Sequence, residues 1–231
     1  MNIKKVLLLS ACAVLLFTGC GNNKKTTNNS SKKAIKVNIN EVANLNVDYV
    51  IKGEDVILDI TNTGKDAIDY VNVDVAVYNS KGKLVSVEKQ YVRNLAAGKE
   101  SVIKVYLNNS GDTDKDIAKV EVALNKVNYE TKVETSYADK VSGKVEKTET
   151  DGQLALTITN ESGETLNDLN AVVVFYKGNE IVDIYSISAQ NVEATYTDTI
   201  YVPMDNSGET STYIDYDDAK VVINNASKYN Q

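Results

Sequence analysis

The 231-residue chain has no histidine, no tryptophan, one proline and two cysteines. Without histidine there is no imidazole base, no imidazole metal ligand and no Ser-His-Asp arrangement. Both cysteines, Cys12 and Cys20, lie in the first twenty residues, so the rest of the chain has no disulfide, thiolate metal site or cysteine nucleophile. Arg93 is the sole arginine, which leaves bidentate phosphate clamps hardly available. No glycine-rich turn leads into a helix that could cradle a phosphate. What remains for acid–base chemistry is carboxylates, and these fall mainly in turns and on outward strand positions, where solvated charge is their ordinary role.

The first twenty residues, MNIKKVLLLSACAVLLFTGC, read as an export signal. Lys4 and Lys5 form a positive head, and Val6 through Phe17 form an apolar run too short to span a bilayer. The closing FTGC resembles the lipobox of bacterial lipoproteins, with Phe17 where that family usually has leucine. The resemblance implies removal of residues 1–19 and a diacylglyceryl group on the thiol of Cys20, the new N-terminus. Two acyl chains on one residue supply the double anchor that stable membrane attachment requires. Residues 20–36 then carry five lysines and no acid among Asn, Ser and Thr. Such a stretch cannot bury enough apolar surface to offset its ordering entropy, and as a coil it reaches roughly 20 Å. Beyond it 18 basic residues face 32 acidic ones, a balance that argues against nucleic-acid binding.

The remainder repeats itself. DITNTGKDAIDYVNVDVAVYNSK (59–81) lies without gaps over TITNESGETLNDLNAVVVFYKGN (157–179). After one deletion Asn94-Leu95 falls on Asn191-Val192, and Ile103 and Val105 fall on Ile200 and Val202. NSGDT (109–113) then meets NSGET (206–210), and a four-residue insertion in the second copy precedes the match of AKVEV (118–122) with AKVVI (219–223). The order of matches is kept throughout, as a duplication requires. Val71, Val73, Val75 and Val77 alternate with Asn72, Asp74 and Ala76, the period of a half-buried strand, and turn signals bound each such segment. The expected fold is all-β: two tandem β-sandwiches, residues 37–131 and 132–231, after a signal peptide and flexible stalk, with the immunoglobulin-like form implied by the resemblance that follows. The Thr-Asn turn, the alternating strand ending in Tyr78, the Gly82 turn and the turn from Leu95 to Gly98 together resemble the FxLYD-type domain. That family comprises small immunoglobulin-like sandwiches of bacterial surface lipoproteins, and the resemblance implies no enzymatic activity.

Two features invite a ligand. Asp112, Asp114 and Asp116 alternate like calcium ligands, but Ile117 stands where an EF-hand needs glycine and Ala123 where it needs glutamate. A calcium site of another kind at these loops is the lesser reading beside solvated charge. The second feature is NAVVVFYKGNEIVDIYSI (170–187), a hairpin turning at Gly178-Asn179. Pairing Lys177 with Glu180 predicts Phe175, Val173, Val182 and Ile184 on the core side. It puts Val172, Val174, Tyr176, Ile181, Tyr185 and Ile187 on the other. The first copy holds Asn72, Asp74, Ala76, Ser86, Glu88 and Gln90 at the places of Asn170, Val172, Val174, Asp183, Tyr185 and Ile187. The fold therefore does not itself require an apolar second face, and the other domain, the extra residues near 211–217 or a separate partner would have to cover it.

The expected protein is a lipid-anchored extracellular envelope protein that binds rather than catalyses, through those six residues of its second sandwich, with a protein or envelope polymer as partner. It needs no cofactor or metal beyond the lipid on Cys20. The alternative is a structural spacer with no specific ligand. Cys20→Ala should move the protein from the membrane to the soluble fraction on cell fractionation; retention in the membrane would contradict the anchor.

Overall fold

A computed structural model describes residues 35–40, 44–53, 55–107, 117–126, 134–205 and 211–230. The signal, Cys20, most of the stalk and Asp112, Asp114 and Asp116 lie outside the described residues. Residues 33–231 form one compact unit. Its strands are β1 (Ile35–Asn40), β2 (Leu45–Lys52), β3 (Asp55–Asn62), β4 (Ile68–Asn79), β5 (Leu84–Leu95), β6 (Glu100–Tyr106) and β7 (Ile117–Lys126). They continue with β8 (Glu134–Ser136), β9 (Val141–Lys147), β10 (Gln153–Asn160), β11 (Asp168–Lys177), β12 (Glu180–Ala189) and β13 (Thr195–Tyr201). The short β14 (Met204–Asp205) and β15 (Thr212–Tyr213) precede β16 (Asp218–Tyr229).

The duplication is visible strand by strand. In the first copy, sheets ordered β1-β7-β4-β5 and β2-β3-β6 face each other; in the second, β8-β16-β11-β12 and β9-β10-β13 do the same. Each pair encloses its own core, because alternate residues point inward. Val56, Leu58 and Ile60 of β3 meet Val71, Val73, Val75 and Val77 of β4; Leu154, Leu156 and Ile158 of β10 meet Val173 and Phe175 of β11. These are two immunoglobulin-like β-sandwiches: the periodicity implies the sandwich, and the resemblance implies its immunoglobulin-like form. The copies differ at one edge, where β1 runs parallel to β7 but β8 runs antiparallel to β16. At Gly143 the facing sheets come so close that a Cβ would stand 2.4 Å from Val221 Cγ1.

The Thr-Asn pair at the end of β3 and β10 acquires a physical role. Asn62 is fully buried, and its Nδ2 donates to the carbonyls of Asp66 (2.9 Å) and Leu95 (3.0 Å) while its Oδ1 accepts from the Gly64 amide. Asn160 repeats this with Glu164 (2.8 Å), Val192 (3.2 Å) and the Ser162 amide. Each asparagine thus fastens two turns that close one end of its sandwich. The turns they fasten carry left-handed residues at equivalent places, Asn94 (φ 53°) and Asn191 (φ 55°), a conformation that asparagine tolerates better than most residues.

Asn62→Asp keeps the shape but removes the donor and buries a charge beside two carbonyls. It should lower stability by about 2–4 kcal/mol, read from the urea midpoint, and Asn160→Asp should do the same to the second sandwich.

Candidate functional site

The predicted turn holds. Lys177 pairs with Glu180 and Tyr176 with Ile181, and Gly178 takes φ 59°. One residue later the register slips, because a β-bulge at Val182-Asp183 inserts an extra residue in β12. Phe175 then opposes Asp183, Val174 opposes Ile184, Val173 opposes Tyr185 and Ala171 opposes Ile187. Since side chains alternate, a slip of one exchanges the two faces of everything beyond it.

Four of the six predicted face residues, Val172, Val174, Tyr176 and Ile181, are therefore together on the outer face, and Ile184 joins them from the side expected to be core. The other two are corrected: Tyr185 and Ile187 pack into the second sandwich's own core. The first copy has the same bulge, so Ser86 and Glu88 oppose Val77 and Val75 on the core side rather than the outer one.

The outer face is not open. Val172, Val174, Ile181, Ile184 and Val222 close on Ile57 of β3 and Val102 of β6, with Val50 and Tyr176 at the margin. The first sandwich thus seats its β2-β3-β6 sheet on the second sandwich's larger sheet. Of the covers open to the sequence reading, the other domain is the one found.

Comparison of the copies could have located this seat as well. Ile57 and Val102 correspond to Ala155 and Thr199, so the first copy departs from the second on the face that receives it. The signal was present in β3 and β6, away from the hairpin.

Polar groups fix the register of the junction. β6 is an edge strand, and the outward N–H and C=O of Val102 would otherwise have no strand to pair with. Asn224 supplies both: its Oδ1 accepts from the Val102 amide (3.0 Å) and its Nδ2 donates to the Val102 carbonyl (2.7 Å). Lys104 Nζ lies 2.9 Å from Asp183 and 3.3 Å from Asp55. Burial opposes its charge, but Asp183 foremost and Asp55 after it hold the ammonium above the ordinary lysine range. This contribution is complete below 10.5 and is lost only as pH climbs through the raised value. Lys220 pairs with Glu100 across the same margin. Burial, with Glu100 adding to it, pushes the Tyr176 phenol up.

The lone arginine is at one end of the junction. Arg93 Nη2 is 2.9 Å from Asp168, and Nη1 is 3.6 Å from Glu134. Glu134 is buried and also accepts from Asn94 Nδ2 (2.8 Å) and Ser227 Oγ (2.8 Å). Asn225 continues the network, accepting from Asn94 (3.0 Å) and donating to Asp168 (2.9 Å). Behind the guanidinium the Tyr91 ring, 5.5 Å away, stacks on Tyr70 at 5.5 Å and 11°. Energetically the apolar centre dominates, since a buried Val or Ile contributes about 1.5–3 kcal/mol, whereas the attraction within a largely buried ion pair is mostly offset by the cost of removing both charges from water.

Comparison with known proteins adds no family. No protein-family model matches the chain, and no curated protein does. Among solved structures, red sea bream transglutaminase is matched at 10% identity and a TM-score of 0.23, over 70% of this chain and 27% of that one. Native alpha-2-macroglobulin from Escherichia coli, domains NIE-MG1, is matched at 8% identity and 0.20, over 79% and 98%. The calcium binding domain CBD12 of CALX1.1 is matched at 10% and 0.19, over 73% of each chain. The sandwich assignment rests on the strand order given above.

Val172→Asp introduces the first copy's own residue at the junction, and should uncouple the sandwiches while leaving both cores intact. Calorimetry should then show two unfolding transitions in place of one. Ile187→Gln, also a first-copy residue, should instead lower the stability of the second sandwich by about 2–4 kcal/mol.

Proposed function

We propose that the protein is a lipid-anchored, non-catalytic element of the outer cell envelope whose two sandwiches act as one rigid body held away from the membrane. The observation that carries this reading is the junction itself. The face expected to take a partner is filled by the first sandwich, and a linked apolar and hydrogen-bonded contact joins the two units. Two sandwiches on a loose linker would need neither the apolar centre nor the Arg93-Glu134-Asp168 network. The spacer role is thereby favoured over partner capture by Val172, Val174, Tyr176 and Ile181.

The anchor rests on the residues of the signal. Lys4, Lys5, the apolar run and Thr18-Gly19-Cys20 support export and lipidation, and the lysine-bearing stalk supplies reach. The resemblance to FxLYD-type domains of surface lipoproteins agrees with this placement. A non-catalytic role is supported by composition, because histidine is absent and the carboxylates of the junction are committed to Arg93 and Lys104.

Rigidity is directly measurable. Leu84 and Met204 are exposed, one on each sandwich. With Cys12 and Cys20 replaced by Ala, spin labels on cysteines at 84 and 204 should give a single narrow distance distribution by pulsed electron resonance. A broad distribution would refute the rigid-body role.

A further inference from the structure

A cleft of about 240 Å³ opens in the second sandwich between the β9–β10 turn and the segment that carries β14 and β15. This segment contains the four-residue insertion that distinguishes the second copy. None of the cleft's residues takes part in the junction. Leu154 and Val202, both nearly buried, supply apolar surface. The Tyr213 ring packs closely on Gly152, where a Cβ would stand 2.0 Å from its Cζ, and Gly152 itself has φ 72°. Glycine is therefore required twice over, for the backbone and for the ring. Tyr213 remains 42% exposed. Tyr216 is braced edge-on against the core residue Phe175, with ring centroids 5.0 Å apart at 81°.

We infer that this cleft binds a neutral glycan, with a sugar ring packed on Tyr213 and its hydroxyls met by Lys147, Asp151 and Gln153. Three observations select this class. Two aromatic rings stand beside side chains of mixed donor and acceptor character, which suits a ligand with an apolar C–H face and a hydroxyl rim. Asp151 balances Lys147 in the lining and Lys177 already pairs with Asp215 (3.1 Å), so the cleft has no excess of cations to hold a polyanion. A peptide strand would need open backbone groups, yet three amides of the wall are already spent on neighbouring carbonyls. The Val202 amide donates to Gly152 O (2.9 Å), the Gln153 amide to Thr150 O (3.2 Å) and the Ile214 amide to Pro203 O (2.9 Å). The volume has room for about one sugar ring with its substituents, so the site takes a chain end or a single unit of a polymer. This inference goes beyond the holding role proposed above and stands apart from it, since the interspin distance does not read the cleft.

Titration calorimetry of the protein with chitotetraose and with cellotetraose tests it. Saturable binding of at least one of them is expected, weakened about tenfold or more by Tyr213→Ala, as loss of a stacking face implies. Melting temperature checks that this variant is folded, and Tyr106→Ala, an exposed tyrosine on the first sandwich, should leave affinity unchanged. Should Tyr213→Ala not fold, a shift of the Gly152 amide resonance on adding the sugar supports the site, and an unmoved resonance overturns it. Absence of binding by both sugars, or binding that Tyr213→Ala leaves intact, also overturns it.

Discussion

One extra residue in β12 governs the arrangement of the whole molecule. Because a strand shows alternate side chains to its two faces, the bulge at Val182-Asp183 decides what the remaining strand offers to the core and what to the neighbouring sandwich. With it, Tyr185 and Ile187 complete an interior and Ile184 completes a seat. Without it, Tyr185 and Ile187 would stand in the seat beside Val172, Val174 and Val222 in place of Ile184, and the interior would lose both. The bulge also leaves Asp183 and Ile184, adjacent in sequence, both at the junction, one to the ammonium of Lys104 and one to the apolar cluster.

Much of this was legible in the residues. The alternation of Val71 to Val77 gave the strand and its inward face, and the match of Thr61-Asn62 with Thr159-Asn160 gave the repeat before either asparagine had a physical role. The turn at Gly178 and its first two pairs followed from turn chemistry alone. What escaped was the slip one residue beyond. A bulge leaves the composition of a strand unchanged, and an alternating run does not reveal where its phase is reset. Tyr185 and Ile187 were misplaced for that reason. The receiving face was missed on different grounds: Ile57 stands between Val56 and Leu58, and three apolar residues in succession do not show that the middle one faces away from its own core. Only its counterpart Ala155 marks it as exceptional.

The junction also shows how apolar and polar contacts divide their work. Seven buried aliphatic side chains supply most of the attraction, but such a cluster tolerates sliding. Asn224 meeting both backbone groups of Val102, and Arg93 held between Glu134 and Asp168, allow only one alignment. In an acid-rich chain the sole guanidinium is placed where two carboxylates converge, backed by Tyr91 and Tyr70. Its planar fork reaches both at once, which a lysine ammonium could not do in the same way.

The contact between the sandwiches joins unlike surfaces, one sheet of the first to the opposite type of sheet of the second. A head-to-tail contact of this kind leaves a further face open at each end, and identical units joined so would close into rings or string into filaments. Here the two termini of the series are closed. The first copy ends the row with Asn72 and Asp74, the latter accepting a hydrogen bond from Asn125, and the second ends it with Ala155, Thr157 and Thr199. Divergence after duplication has therefore left the two outer ends of the pair polar where the faces that meet at its middle are apolar.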